Sequence, residues 1–356
     1  MWRQKLLPNV RLCSNLCMNK EVSKISRHLD CLQLWNEIKE QQTNLYMSPR
    51  VEKAIVTYHG VLGESTLEMT KGISTPLDCA KHLSEILVKE SVIAMVNNTP
   101  WDMNRPLSCD CSLDFAQFKD PHYDPTIANN AFWQSCTLLL AATLETAFHE
   151  KHNVRVINLP LLNPKSGGFV CDISFSPGHQ SLENWKPSPQ ELYALNTYIQ
   201  RMAADDLSFE PLDVSIHSEL LQKLFADNPL RSQQINHVFN KHQDSSNSLQ
   251  LDLSSNKYKI TERSTLPVYR VGRFVECFTN GPLIRSTGLI GKISISSFSR
   301  IGYLRGSSNN IVYRVQGVAI PSAFLTHFTT FHRLMEWSKL PNSEVDIYPD
   351  YVEPSP

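Results

Sequence analysis

Histidine pairs are the first residues in this chain whose type and spacing suggest chemistry, because two imidazoles at a suitable spacing on one helix can bind a metal ion. His149 and His152 lie in the segment FHEKH, which is one residue too short for the HExxH zinc motif. We interpret them as surface histidines near a helix C-terminus. Two other pairs are five residues apart, a poor spacing for a metal held by one helix: His237 with His242, and His327 with His332. The sequence therefore predicts no metal site and no cofactor.

A second candidate is a basic block, residues 257–314, which holds ten Lys or Arg residues against two acids. Aromatic residues are interleaved with these bases. Arginine pairs with phosphate oxygens and aromatic rings stack on unpaired bases, as RNA-binding surfaces require. The alternative is that the aromatic residues fill the core of a sheet and the arginines form its solvated face. The excess of positive charge favours an RNA-binding surface, and the candidate contacts are Arg270, Arg273, Arg285, Lys292, Arg300, Arg305 and Arg314.

Other classes of site are disfavoured. The stretch Gly302–Gly306, GYLRG, lacks both the Walker lysine and the third glycine of a dinucleotide-binding turn, so we expect no nucleotide site. The nine cysteines are odd in number and form no CxxC pair, which is typical of a reducing compartment. No apolar run approaches the roughly 18 residues of a membrane span, so we expect a soluble protein with no membrane span.

The first 29 residues hold six Lys or Arg and one acid among Leu, Val and Ser. This composition predicts a mitochondrial presequence for residues 1–29, with a basic RNA-binding arm as the alternative. Leu32, Trp35 and Ile38 then follow at helical spacing, which predicts a connecting helix within residues 30–52.

Residues 53–119 have the pattern of a small mixed domain. The predicted elements are a hairpin (residues 53–59 and 65–69), a helix (75–89) capped by Thr75, and strands at 92–96 and 112–118. Strand, strand, helix, strand, strand is the order of a ubiquitin-like β-grasp fold. A linker with two prolines, residues 119–126, follows it.

The second predicted domain, residues 127–323, is organised around the most apolar helical stretch of the chain, Asn130 to Phe148. Ser188 to Glu191 forms a capping box with proline at the first helical position, which predicts a helix from Pro189 to about Ala204. Residues 231–257 are interpreted as a surface insertion. The other predicted elements are a glycine turn leading into a strand (166–173), strands at 209–216, 268–278, 292–297 and 311–318, and a helix at 218–226. The fold class is α+β throughout.

Both domains resemble the N-terminal half of threonyl-tRNA synthetase. GISTPLDCAKHL, AMVNNTPWDMNRPL and LDFAQF match its TGS domain in order and spacing. Residues 302–321, GYLRGSSNNIVYRVQGVAIP, match the editing domain, which hydrolyses mischarged seryl-tRNA. The resemblance covers residues 53–323. About 35 residues follow Pro321, and we expect them to form a C-terminal helix and an extended tail (324–356) rather than an aminoacylation core.

The resemblance also identifies where editing chemistry would reside. The family uses three histidines and a cysteine, and their positions fall on Gln134 and Leu138 in the apolar helix and on Thr279 and Leu283 later in the chain. All four positions are substituted. Cys277 lies close to the position of the family cysteine, Thr279, but one insertion away from it. Neither leucine can transfer a proton, and an amide has no useful pKa, so no catalytic residue is expected.

A two-domain piece of this kind behind a presequence resembles the synthetase-like proteins of the mitochondrial large ribosomal subunit. The favoured hypothesis is a non-catalytic structural component of that subunit in the mitochondrial matrix. Its expected partners are mitochondrial rRNA and neighbouring ribosomal proteins, with no small-molecule substrate. One alternative is a freestanding mitochondrial deacylase acting on seryl-tRNA(Thr). The other is a regulatory RNA-binding module of the TGS type.

Overall fold

The computed structural model describes most of the chain. The described residues are 18–47, 51–119, 123–148, 154–163, 166–175, 186–226, 265–304, 311–342, 344–345 and 351–352. The basic N-terminal stretch up to residue 17 and the predicted insertion at residues 231–257 lie outside them.

The first domain is a five-stranded sheet with two short helices on one face. The sheet order is β2-β1-β5-β3-β4, in which β1 and β5 are parallel and the other neighbours antiparallel. Its elements are β1 (Lys53–Gly60), β2 (Gly63–Thr70), α2 (Pro76–Leu83), α3 (Glu85–Glu90), β3 (Ser91–Val96), β4 (Thr99–Trp101) and β5 (Cys111–Gln117). This arrangement confirms the predicted β-grasp fold.

One helix prediction in this domain is wrong. Residues 75–89 were predicted as one helix, but α2 ends at Leu83 and α3 begins at Glu85. Ser84 between them is extended, and its hydroxyl accepts a hydrogen bond from the backbone N of Ile86 at 3.2 Å. The serine therefore caps a new helix instead of continuing the old one.

The central helix of the molecule is α4, Pro125–Ala147. It begins earlier than predicted because Asp124 caps it, accepting from the backbone N of Thr126 at 2.8 Å, and Pro125 occupies the first turn. Nearly every residue from Ala131 to Glu145 is buried. The helix contacts the first sheet through β3 and β5 and the second sheet through the strands β6 and β7 defined below. It therefore joins the two domains through a shared core.

The second domain contains a five-stranded sheet in the order β13-β11-β12-β7-β6, antiparallel throughout. The helix α5 forms the predicted capping box, with Ser188 and Glu191 bonded reciprocally to each other's backbone N. The elements are β6 (Val154–Asn158), β7 (Phe169–Phe175), α5 (Pro189–Ala204), β11 (Ile290–Leu304), β12 (Ile311–Pro321) and β13 (Tyr351–Val352). The sequence reading missed β6.

A third sheet, in the order β10-β9-β8, forms a subdomain with two helices. The predicted single strand at residues 268–278 is in fact a hairpin, because Gly272 at φ +58 reverses the chain between β9 and β10. The elements are α1 (Met18–Met47), β8 (Phe209–Ser215), α6 (Glu219–Phe225), β9 (Thr265–Val271) and β10 (Phe274–Cys277).

The helix α1 is continuous across the boundary predicted at residues 29/30. Cys31 and Trp35 on this helix are 2% and 0% exposed, respectively, and pack into the core of the β8-β9-β10 sheet. The helix is therefore an integral part of the second domain rather than a connector alone.

The C-terminal region contains the helix α7 (Phe328–Trp337), where a helix was expected. The chain after α7 packs on β12. Gln316 donates to the carbonyl oxygens of Ser338 and Leu340, and Val345 is buried. Among the described residues, no helix is long and apolar enough to cross a membrane.

Candidate functional site

Gln134 and Leu138 lie one turn apart on α4 and are 2% and 0% exposed. Both amide atoms of the Gln134 side chain are buried, and no hydrogen-bond partner reaches them from the described part of the chain. An amide and a leucine supply no titratable group, so neither of these two side chains can transfer a proton.

The second pair of positions lies in the loop after β10. Thr279 is exposed, whereas Leu283 is 1% exposed. The backbone N of Ile284 donates to the hydroxyl of Ser135 at 2.9 Å. The fold thus brings this loop against α4 beside Gln134, as the resemblance implies, but Leu283 contributes an apolar side chain to the core.

Cys277 does not substitute for the missing groups. It is fully buried and belongs to the core of the β8-β9-β10 subdomain together with Cys31 and Trp35. Leu138 and Leu283 belong to the larger core around α4. The thiol therefore lies in a different core from the substituted positions on α4.

A charged cluster between the domains was not found by sequence reasoning. Asp102, in the loop after β4, is 3% exposed. Its carboxylate accepts from Arg105 Nε at 3.0 Å, from the Tyr269 hydroxyl at 3.0 Å and from the backbone N of Leu283 at 2.8 Å. We call this group the Asp102 cluster. It fixes the first domain directly to the loop that carries Leu283.

Two neighbours extend the Asp102 cluster. Arg105 Nη1 donates to both carboxylate oxygens of Asp213 at 2.7 Å. Burial by itself lowers the pKa of Arg105, but the carboxylates of Asp102 and Asp213 outweigh it and hold that pKa above its ordinary value. Asn104 donates to the carbonyl oxygens of Phe209 and Arg285, each at 2.8 Å. Asp102 and Arg105 belong to the sequence motif Asp-x-x-Arg-Pro-Leu, residues 102–107. The sequence did not reveal the cluster because the partners of these two residues, Leu283 and Asp213, are more than 100 residues away.

The candidate RNA contacts need one correction. Arg314 is 5% exposed, and its guanidinium forms a bidentate pair with Asp172, at 2.8 and 3.1 Å. Its third nitrogen donates to the carbonyl oxygen of Val345 at 2.8 Å. The prediction that Arg314 contacts RNA is wrong, because the side chain is buried and each of its three nitrogens donates to another group of the protein.

Arg270 is engaged with α1. Its guanidinium donates to Glu210 at 2.7 Å and to Asn36 at 3.1 Å, and it lies 4.5 Å from the ring centroid of Trp35. Lys39 also donates to Glu210, at 2.6 Å. Burial raises the pKa of Glu210, but the hydrogen bonds from Lys39 and Arg270 outweigh it and hold that pKa below its ordinary value. The group docks α1 onto β8 and β9.

The other basic residues among the candidate RNA contacts lie in different parts of the second domain. Arg273 is exposed at the β9–β10 turn, and Arg285 is half-buried, donating to the carbonyl oxygen of Lys89 at 3.5 Å. Lys292 and Arg300 are half-buried near opposite ends of β11, where Arg300 stacks 4.6 Å from the centroid of Tyr303. Arg305 lies outside the described residues.

The histidines form no described metal site. His149, His152, His237 and His242 lie outside the described residues, and His327 caps α7 by accepting from the backbone N of Thr329 at 3.3 Å. Within the described ranges, no group of three or more His, Cys, Asp or Glu side chains could hold a metal ion.

Comparison with known proteins agrees with the fold. A family model for the TGS domain matches residues 59–116. The chain is 23% identical to the cytoplasmic threonine–tRNA ligase 1 of Bos taurus over 86% of its length, and 26% identical to the ligase of Thermotoga maritima over 71%. It spans about a third of each ligase, 35% and 32% respectively. The chain thus has a TGS domain and a larger α+β region that is similar to threonine–tRNA ligases.

A further comparison identifies the family. The chain is 34% identical to the large ribosomal subunit protein mL39 of Drosophila melanogaster, and the match covers 85% of this chain and 82% of that protein. The chain belongs to the mL39 family.

Proposed function

We propose that the protein is a non-catalytic structural component of the mitochondrial large ribosomal subunit. The observation that carries the proposal is the 34% identity to Drosophila mL39, which covers 85% of this chain and 82% of that protein. Such a match supports a folded surface that this chain shares with mL39. It does not support a shared active site, because the editing positions are occupied by side chains without acid–base function.

The former editing positions support the absence of catalysis. A general acid or base contributes about 100-fold to 10,000-fold to a rate, so loss of the whole set removes most of the acceleration. Leu138 and Leu283 are at most 1% exposed and pack in the main core. Restoring histidines there would place polar groups in a dry environment, so the substitutions are integrated into the packing.

A freestanding deacylase is the second candidate, because the chain is also similar to threonine–tRNA ligases. A deacylase would require another residue to act as the general acid or base. Cys277 is the nearest candidate in sequence, but it lies in the core formed with Trp35. Nothing in the described geometry favours this activity over the structural role.

The proposed contacts with rRNA are basic residues of the second domain. Arg273 is exposed at the β9–β10 turn. Lys292 and Arg300 are half-buried on the long strand β11 and also donate within the protein, to the carbonyl oxygen of Thr326 and to the hydroxyl of Tyr303. Between residues 277 and 335 the chain has six Lys or Arg and no Asp or Glu, so this region has a positive field suited to phosphate. The TGS domain is proposed as a further docking module.

Sedimentation of a mitochondrial lysate tests the role. In a sucrose gradient run at moderate and at high salt, we expect the protein to migrate with the large subunit in about one copy per particle. Recovery at the top of the gradient at moderate salt would contradict the structural role. Release of serine from seryl-tRNA(Thr) by the purified protein, faster than by a Gln134→Ala, Cys277→Ala double variant, would instead support the deacylase.

A further inference from the structure

An apolar ridge projects from the segment that joins β12 to α7. We define the apolar ridge as Phe324, Leu325 and Phe328, whose relative exposures are 40%, 102% and 72%. Single exposed apolar residues are ordinary, but three within five positions form a patch of the kind that marks interaction sites.

The backbone of the apolar ridge is held in place. Phe324 N donates to the carbonyl oxygen of Pro321 at 3.1 Å, and Lys292 Nζ donates to the carbonyl oxygen of Thr326 at 2.6 Å. His327 caps α7 immediately before Phe328. A surface fixed in this way loses little conformational entropy when it binds, which favours a preformed docking site over a mobile loop.

The ridge is also anchored to the first domain. The ring of Phe324 lies 6.1 Å from that of Phe118, which in turn lies 5.7 Å from Phe132 on α4. Lys119 Nζ is 5.3 Å from the centroid of Phe324. The ridge therefore lies at the junction of the two domains, where residues of both domains hold Phe324 in place.

Basic side chains lie beside the ridge in the described part of the chain. The local sequence from Ser322 to Met335 contains Arg333 and no acid. The Nζ atoms of Lys119 and Lys292 lie 5.3 and 5.7 Å from the ring centroids of Phe324 and Phe331, respectively. The first acid after the ridge, Glu336, is paired with Lys339 at 2.7 Å. An apolar centre with a cationic rim is complementary to a segment that has apolar anchors among acidic residues.

We propose that the apolar ridge is a docking site for an acidic, apolar segment of a neighbouring protein. RNA fits less well, because the most exposed member, Leu325, is aliphatic and offers no ring for base stacking. The inference rests on the proposed function for the setting, since the neighbour is taken to be another protein of the subunit.

Site-specific photo-crosslinking in the assembled subunit tests the proposal. A photoreactive phenylalanine analogue replaces Leu325, with the same analogue at Tyr193, an exposed residue on α5, as the control. We expect crosslinks from position 325 to a protein peptide with net negative charge, and a different pattern from position 193. Crosslinks to rRNA, to lipid or to a neutral or basic peptide, or no crosslink, would overturn the proposal.

A double substitution measures the contribution of the ridge. Leu325→Asp with Phe328→Asp should lower retention on the subunit at least about 30-fold, the loss expected when hot-spot residues are removed. Tyr193→Asp, which adds a carboxylate at an exposed position of α5, should have little effect. Unchanged thermal unfolding of the double variant shows that the fold is intact. If the unmodified protein sediments with the subunit and the double variant does so equally well, the ridge proposal fails while the ribosomal role stands.

Discussion

Replacing either of two buried glutamines should change the free energy of unfolding, in opposite directions for the two positions. Gln134 on α4 is 2% exposed, and neither atom of its amide has a hydrogen-bond partner among the described residues. Gln316 on β12 is 5% exposed, and its amide bonds the backbone of Ser338, Leu340 and Asn342. Replacing each with methionine, which has a similar length and volume, removes the amide while keeping most of the packing.

The expected magnitudes follow from the hydrogen bonds. A buried polar group without a partner costs about 1–3 kcal/mol, so Gln134→Met should raise the free energy of unfolding by about 1–2 kcal/mol after imperfect repacking. Gln316→Met removes three hydrogen bonds and leaves backbone groups of the C-terminal segment unpaired. We expect it to lower the free energy of unfolding by about 2–4 kcal/mol.

Urea unfolding of the purified full chain measures both changes. The two variants should shift the midpoint in opposite directions, with little change in the slope. Hydrogen exchange of peptides from α4 and from residues 338–342 then localises each effect.

A destabilising Gln134→Met would refute the reasoning, since it would show that the amide has a favourable partner in the folded protein. The same variant also tests the proposed function. A stabilised protein that still sediments with the large subunit shows that the amide at this former editing position is dispensable for that role.

Two further predictions concern the contacts that join the parts of the molecule. Asp102→Ala should lower the free energy of unfolding by about 3–5 kcal/mol, because it leaves buried donors unpaired. Asp213→Ala, at a half-exposed carboxylate, should lower it by less than about 1 kcal/mol. Equal effects of the two variants in urea unfolding would contradict the stabilising role of the Asp102 cluster. Against the effect of burial, hydrogen bonds from Lys39 and Arg270 lower the pKa of Glu210, so its stabilisation of α1 is fully present above the ordinary glutamate pKa and is lost as the pH falls through the lower folded-state pKa. Exchange protection of α1 should fall over that range in the unmodified protein but not in Glu210→Gln; the same profile in both would exclude Glu210 as the cause.

Local sequence patterns were sufficient where neighbouring residues decide the structure. The capping box at Ser188 fixed the start of α5, and the apolar composition of residues 130–148 identified the central helix. The substitutions at Gln134, Leu138, Thr279 and Leu283 were also visible, because they need only alignment to a motif. Errors arose where a short local signal was overlooked, as at Ser84 and Gly272, each of which ends one element and begins another.

The sequence by itself predicted the order of the domains and their fold class, since these depend on residue type and spacing, and the resemblance placed side chains without acid–base function at the editing positions. Only the tertiary structure decided which polar groups are paired. Arg314 is as basic as Arg273 in the sequence, but its partner Asp172 is 142 residues away, and the pair is buried in the sheet. Likewise, Asp102 meets Leu283 across 181 residues. Burial and pairing depend on distant parts of the chain, so the charge of a residue alone cannot show whether it faces solvent, RNA or the core.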